Sequence, residues 1–316
     1  MNITDIKTEF GAYYINGGQN VSRIVKMLLA NSTTDSVCTP FLTDETVYRA
    51  AQARMQRVLQ PFQKAWTPIG EIQLVPVAIE QFKQKIDTQE YPDDLEGTWL
   101  GFLAGDGIDR KTWPFVRWFI ETQLLPQAKQ DYELNEVYKG VYTVPAVGTA
   151  GAPSTAMNGI RKAINDQVTA GRITPIATGA LSTDPKTFVE QVEAFVDKFN
   201  EKYWSVNMQL CLSQALERRF HRGIEAKYGR NTDYKSNPGT VNFTNVDLIG
   251  LPSMIGSDKL WCTPKENLYK LGKKTANMNA VQLESVDRLI KMFSDWWSGV
   301  GFLIPEVVFT NDRDLV

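Results

Sequence analysis

The chain has a single histidine, His221, three cysteines, and no apolar run near the roughly 18–20 residues that cross a bilayer. Each shortage removes a class of function. One histidine cannot build a histidine-rich metal site. A catalytic triad needs a base held by an orienting partner, yet His221 sits in LERRFHRGIEAKYG among Arg218, Arg219 and Arg222, which disfavour its charged form. It reads as a surface histidine on a basic helix. Cys38, Cys211 and Cys262 are scattered and odd in number, which argues against a disulfide framework, and an all-cysteine zinc site needs closer spacing. They read as core filler in a reducing compartment. The start, MNITDIKTEFGAYY, shows no basic stretch followed by an apolar one, so no secretory signal is expected. Charge of one sign is scarce too: 34 basic residues against 36 acidic give a net charge of −2, and no global field draws the chain onto nucleic acid.

What is present describes a folded protein. The 316 residues are 43% hydrophobic and 22% charged, enough for one large domain or two ordinary ones with a sizeable core. The most distinctive stretch is 289–310, LIKMFSDWWSGVGFLIPEVVFT. Trp296, Trp297, Phe302, Ile304, Val307, Val308 and Phe309 read as buried β-structure. Gly299 and Gly301 would loosen or bulge a strand, and Pro305 disfavours a central position in a sheet. So apolar a tail must be covered, by the chain itself or by another copy.

Along the chain, 21–29 has the spacing of two helical turns, broken by NSTTDSVCTP. Thr43 or Asp44 can cap a helix running to about residue 60, with Val47, Ala51, Met55, Val58, Leu59 and Phe62 as its inner stripe and Pro61 ending it. Residues 66–105 read as extended ribbons joined by a polar turn at Tyr91-Pro92-Asp93-Asp94. Residues 111–138 form a long helical run in which Pro114 fits the first turn and Pro126 predicts a kink or a break. Ser154 or Thr155 caps a helix through Met157, Ile160, Ala163, Ile164 and Val168 that stops at Gly171. Asp184-Pro185 opens the cleanest helix, with Phe188, Val189, Val192, Phe195, Val196, Phe199 and Tyr203 as its stripe. A strand over 206–212, a helix from Ser213 to Gly229, and strands in VNFTNVDLIGLP, KLWCTP and ENLYKL complete the body. Strands mixed with helices, without a regular βαβ alternation, indicate an α+β fold.

No sequence motif selects a reaction. GTAGAPSTAMNG lacks the Gly-Lys-Ser/Thr ending of a P-loop and the three-glycine dinucleotide pattern, so it reads as a flexible linker. Glu90, Asp93, Asp94 and Glu96 lack the ordered ligand spacing of an EF-hand and read as a solvated turn. A hydrolase with acidic residues meeting in a Trp-lined cleft is an alternative, although nothing selects its carboxylate pair. The one charged feature with a plausible partner is the basic cluster Arg218, Arg219, Arg222, Lys227 and Arg230. It is a solvated helix face, a contact to acidic groups of a neighbouring subunit, or a weak contact to packaged nucleic acid.

The order of parts resembles the major capsid proteins of tailed phages with the Hong Kong 97-type (HK97-like) fold. The resemblance is carried by LERRFHRGIEAKYG (216–229), by LWCTPKENLYKL (260–271) with its Thr263-Pro264 and Asn267-Leu268, and by WWSGVGFLIPEVVFT (296–310) with Gly299, Gly301 and Pro305. It covers roughly residues 40–310. It implies an N-terminal arm and helix over 1–60, an extended loop over 61–107, a spine helix over 108–144, a mainly axial domain over 145–275, and C-terminal strands of the peripheral domain over 276–316. It also implies a structural, non-enzymatic subunit that self-assembles into pentamers and hexamers of an icosahedral shell around double-stranded DNA. Such a subunit would be made in the host cytoplasm and reside in the virion. Its partners would be copies of itself, portal, scaffold or cement proteins, and packaged DNA through weak non-specific contact, with no membrane and no cofactor. The start at Met1 without a scaffold-like coiled segment suggests a separate scaffold or none, and no residue matches the Lys–Asn cross-link of the best-known member. An encapsulin-type compartment is the alternative within the same fold. Expected contacts between subunits are Arg218, Arg219, Arg222, Tyr91, Asp93 and Asp94.

Overall fold

The computed structural model describes residues 3–10, 33–104, 113–229, 239–274 and 281–315. The helix expected over 21–29, and Arg230 of the basic cluster, lie outside the described residues. The apolar tail organises the largest sheet. Strand β10 (Leu289–Phe302) is its centre, joined by β1 (Thr39–Leu42), β4 (Phe82–Glu90), β8 (Leu268–Gly272) and β9 (Gln282–Val286). β10 runs antiparallel to β4 from Ile290↔Glu90 to Ser298↔Phe82, while its first residues also pair with β9 on the other side. Its last five residues pair with β8. Ile290, Met292 and Ser294 are buried with the period of two of a half-covered strand, whereas Ser298 to Phe302 are all buried, so both faces of the strand's end are covered.

This position corrects two expectations. Gly299 and Gly301 do not bulge the strand, and the sheet keeps its register through both. Pro305 follows the strand in a short 3₁₀ turn, Pro305–Val307, so it does not keep β10 from the centre. Phe302 and Val308 are buried as expected, whereas Trp296, Trp297, Ile304, Val307 and Phe309 are only half-buried.

The second sheet has the order β11-β7-β5-β6, with β5 (Met208–Ser213), β6 (Val246–Leu251), β7 (Trp261–Thr263) and β11 (Phe309–Thr310). Strands β5 and β6 are parallel, and helix Gln214–Tyr228 crosses between them. The described residues thus include a βαβ unit inside the α+β fold. Helix Pro185–Asp197 begins as its sequence dictates: the Asp184 carboxylate accepts from the Thr187 amide, and Pro185 takes the first position. Its Phe188, Val189, Val192, Phe195 and Val196 are buried against Leu216 and Phe220 of the crossover helix and against Met208, Leu210 and Leu212 of β5. The helices approach closely because residue 223 is glycine. A Cβ there would lie 2.1 Å from the Pro185 carbonyl oxygen.

The long helix runs over 115–136 without a break at Pro126. The proline has no N–H to give, and a wide π turn, Phe119–Leu124, directly precedes it; a second, Tyr132–Glu136, lies further on. Phe115, Val116, Trp118, Phe119, Ile120 and Leu125 bury against Trp99, Ile290 and Met292, and Ile6 of helix Ile3–Phe10 joins them. Residues 91–94 are not a turn between strands. Pro92 opens a helix, Pro92–Leu103, with Asp93 and Asp94 in its first turn, where carboxylates favour the N-terminal end of the helix dipole. Helix Ile160–Thr169 is capped by Gly159, four or five residues later than a Thr155 or Ser154 cap predicts.

The largest departure is at 44–60. Instead of a helix, β2 (Val47–Met55) is a strand paired antiparallel with β3 (Ile72–Glu80) from Val47↔Glu80 to Met55↔Ile72. The alanines of VYRAAQARM have high helix propensity, but a nine-residue ladder to β3 overrides so weak a preference.

Candidate assembly surfaces

The β2–β3 ribbon is only partly covered by the rest of the described residues. A two-stranded ribbon is marginal in water unless something covers it. Only its base is held. Val77 and Ile79 are buried, the Gln81 amide donates to Thr46 O (2.8 Å), and its side chain donates to Thr43 O (3.0 Å) and Glu45 O (2.8 Å). Arg172 reaches across to Pro76 O (3.2 Å). The tight fit at the base is why 299 and 301 are glycines. A Cβ on Gly299 would stand 2.1 Å from Glu80 O, and one on Gly301 would meet the Ile79 side chain at 2.8 Å.

Beyond the base the ribbon carries apolar residues into solvent. Phe62 and Trp66 are each 92% exposed and Leu59 83%, with Met55, Ile72 and Leu74 also exposed. The tip is nonetheless ordered by local bonds, Gln60 Nε2 to Thr67 O (2.7 Å) and Arg57 Nε to Leu59 O (3.0 Å). Val58, Leu59 and Phe62 therefore belong to an exposed tip and not to the inner stripe of a helix. The signal for this was present in Pro61, Pro68 and Gly70, turn-forming residues spread between two strand-length segments.

The residues expected to meet neighbouring subunits fall in two groups that pack on different cores. Tyr91, Asp93 and Asp94 stand exposed at the start of helix Pro92–Leu103. Arg218 and Arg222 stand exposed on helix Gln214–Tyr228. Arg219 is turned inward: its Nη1 donates to Ser182 O (2.9 Å) and its guanidinium lies over the Phe188 ring. Lys227 pairs with Glu193 at 2.8 Å. His221 is half-buried on the same helix.

Other charged groups are internal ties that give no sequence signal. The Glu133 carboxylate accepts from the Thr34 amide (3.2 Å) and hydroxyl (2.5 Å), and Asp35 pairs with Lys270 at 2.6 Å. Together they clamp the segment before β1 to the long helix and to β8. Lys259 is fully buried, its Nζ donating to Asn165 Oδ1 (2.9 Å), Arg313 O (3.1 Å) and Asp314 O (3.1 Å). The 148–159 loop, expected to be a flexible linker, is pinned: Glu136 accepts from the amides of Ser154 (2.8 Å) and Ala156 (3.0 Å). A carboxylate of the chain thus occupies the amides that a phosphate would need. The three cysteines are buried, with burial pushing each thiol upward, as core filler requires. Among the described residues no group of three His, Cys, Asp or Glu side chains is placed to hold a metal ion, and no helix is long and apolar enough to cross a membrane.

No family model and no curated protein sequence matches the chain. Solved capsid structures match its fold over most of the chain. A chain of the satellite phage P4 procapsid including the size determination (Sid) protein superposes with a TM-score of 0.61 at 10% identity, over 99% of this chain and 98% of that one. A chain from the capsid of an empty GTA particle superposes at 0.52 and 10% identity, covering 90% of this chain and 97% of that one. The capsid of Myoviridae phage XM1 also gives 0.52 and 10%, covering 88% and 90%. The α+β fold of this chain is that of phage capsid proteins, as the resemblance to the Hong Kong 97-type fold implies.

Proposed function

We propose that the chain is a shell subunit of a tailed-phage virion, self-associating into pentamers and hexamers of an icosahedral container for double-stranded DNA. The observation that carries this reading is the uncovered ribbon, whose apolar tip is ordered yet solvated in the single chain. Exposed apolar area of that kind marks an interaction surface. Because the ribbon and the body it would cover are different surfaces, contacts between copies would be heterologous, and such contacts close into rings. The capsid-protein fold supports the same reading.

On this view the ribbon β2–β3 with its tip, 47–80, is the extended loop. The five-stranded sheet with the 115–136 helix forms the peripheral domain, and the four-stranded sheet with its helices forms most of the axial domain. Arg218 and Arg222, and separately Tyr91, Asp93 and Asp94, are exposed polar groups that would line contacts between subunits. Portal, scaffold or cement proteins and packaged DNA would be the remaining partners.

Negative-stain microscopy of the chain expressed alone tests the reading, with capsomers or shells as the expected result. Replacing Phe62 and Trp66 together by serine should abolish those particles. The melting temperature of the unassembled chain should stay within a degree or two, because neither ring is buried in the subunit. A wild-type chain that stays monomeric, with a sharp and concentration-independent melt, would overturn the proposal.

A further inference from the structure

The ribbon is joined to the rest of the chain by two short connections: residues 43–46, between β1 and β2, and Gln81, the single residue between β3 and β4. Among the described residues β2 and β3 pair only with each other, whereas β4 continues into the five-stranded sheet. An arm of this kind rotates about its connections unless something ties them together, because a few residues at element ends absorb the change in φ and ψ.

Gln81 is such a tie. It is 3% exposed, and its bonds cross to the other connection: the backbone amide donates to Thr46 O (2.8 Å), and Nε2 donates to Thr43 O (3.0 Å) and Glu45 O (2.8 Å). The 43–46 segment is in turn fastened to the end of β8. The Thr43 amide donates to Gly272 O (2.9 Å), the Lys274 amide to Asp44 Oδ1 (3.0 Å), and Lys273 Nζ to Thr46 Oγ1 (3.1 Å). Two carbonyls facing one nitrogen need two N–H donors on it, which an amide supplies and a carboxylate lacks. The clamp is also incomplete. Gln81 Oε1 is buried and accepts no hydrogen bond among the described residues, a cost that the two donated bonds must outweigh. Other restraints at the base do not span both connections. Gly299 and Gly301 set how closely the ribbon approaches β10, and Arg172 meets Pro76 O through a long, exposed side chain.

We infer that Gln81 is a positioning residue: its side-chain amide sets the angle at which the ribbon leaves the five-stranded sheet, and without it the ribbon swings as one rigid arm. The inference concerns the single chain and stands apart from the shell reading.

Spin labels at Lys64→Cys on the ribbon tip and Gln89→Cys on β4 test it in the unassembled full chain, where the three native cysteines are buried. Pulsed electron–electron resonance should read one narrow distance distribution with Gln81 in place. Gln81→Met keeps the length and loses both donors. It should widen the distribution by about twofold or more, because a hinge turns a small backbone change into a large displacement at the tip. Gln81→Asn keeps the amide but falls one carbon short, and this milder variant should move the distribution in the same direction. Hydrogen exchange separates swinging from melting. Amides of the 47–55 and 72–80 ladder should stay as protected as in wild type, while the amide of residue 81 exchanges about tenfold faster or more as the two connections open locally. A distribution that both variants leave unchanged, or ladder protection lost in both, would overturn the inference. Neither result touches the shell reading, which the wild-type particles decide.

Discussion

Lys259 shows how much a single side chain can contribute without being visible in the sequence. It follows Asp258 in an unremarkable stretch, yet its ammonium is buried and holds the backbone of Arg313 and Asp314 together with Asn165. It thereby ties the C-terminal segment to helix Ile160–Thr169. Burial pulls its pKa from the ordinary 10.5 down to about 8, with Arg161 adding to the effect and Asp314 opposing it. Below pH 8 folded and unfolded chains both carry the proton. Between about 8 and 10.5 the unfolded chain alone holds it, so stability rises with pH through that window. Urea denaturation of the unassembled chain should show this rise. Lys259→Met should flatten it and lower stability at pH 7, because three oxygens lose their donor.

At the scale of elements, close packing decides where the ribbon sits. Its base lies against β10 only because residues 299 and 301 have no side chain. Gly299→Ala should destabilise the chain by about 1–3 kcal/mol, since the obstructing atom is a backbone carbonyl that cannot swing aside. Gly97→Ala is the matched control. Its position on helix Pro92–Leu103 has open space around it, and the change should be neutral or stabilising by up to about 1 kcal/mol. Equal losses at both sites in denaturant melts would show that the ribbon base does not depend on this contact. Element identity itself was legible where a local signal was strong. Asp184-Pro185 places the start of its helix, Gly229 closes the crossover helix, and the alternation of β5 marks a strand. At 47–55 alanine-rich sequence pointed to helix, and the ladder to β3 outweighed it.

For the whole molecule, the balance of apolar and charged contacts is open to a salt titration. If Arg218 and Arg222 meet acidic groups of a neighbour, raising ionic strength beyond about 0.15 M, where the screening length falls below about 8 Å, should raise the assembly threshold of wild type. It should not do so for Arg218→Ala/Arg222→Ala. A threshold equally insensitive in both proteins would assign assembly to the apolar ribbon and leave that helix face merely solvated.

In the sequence by itself, strands mixed with helices without a regular alternation indicated an α+β fold, and the order of parts, with 216–229, 260–271 and 296–310, resembled the Hong Kong 97-type capsid proteins. Caps and short-range periodicity are local, so residues within one turn or one strand encode them. The tertiary structure alone decided that 47–55 pairs as one strand of a ribbon, and that Glu133, Lys259 and Arg219 are spent inside the chain. Those outcomes depend on partners about 20 to 100 residues away, between strands, helices and the C-terminal segment, and no local pattern records which distant group a side chain will meet.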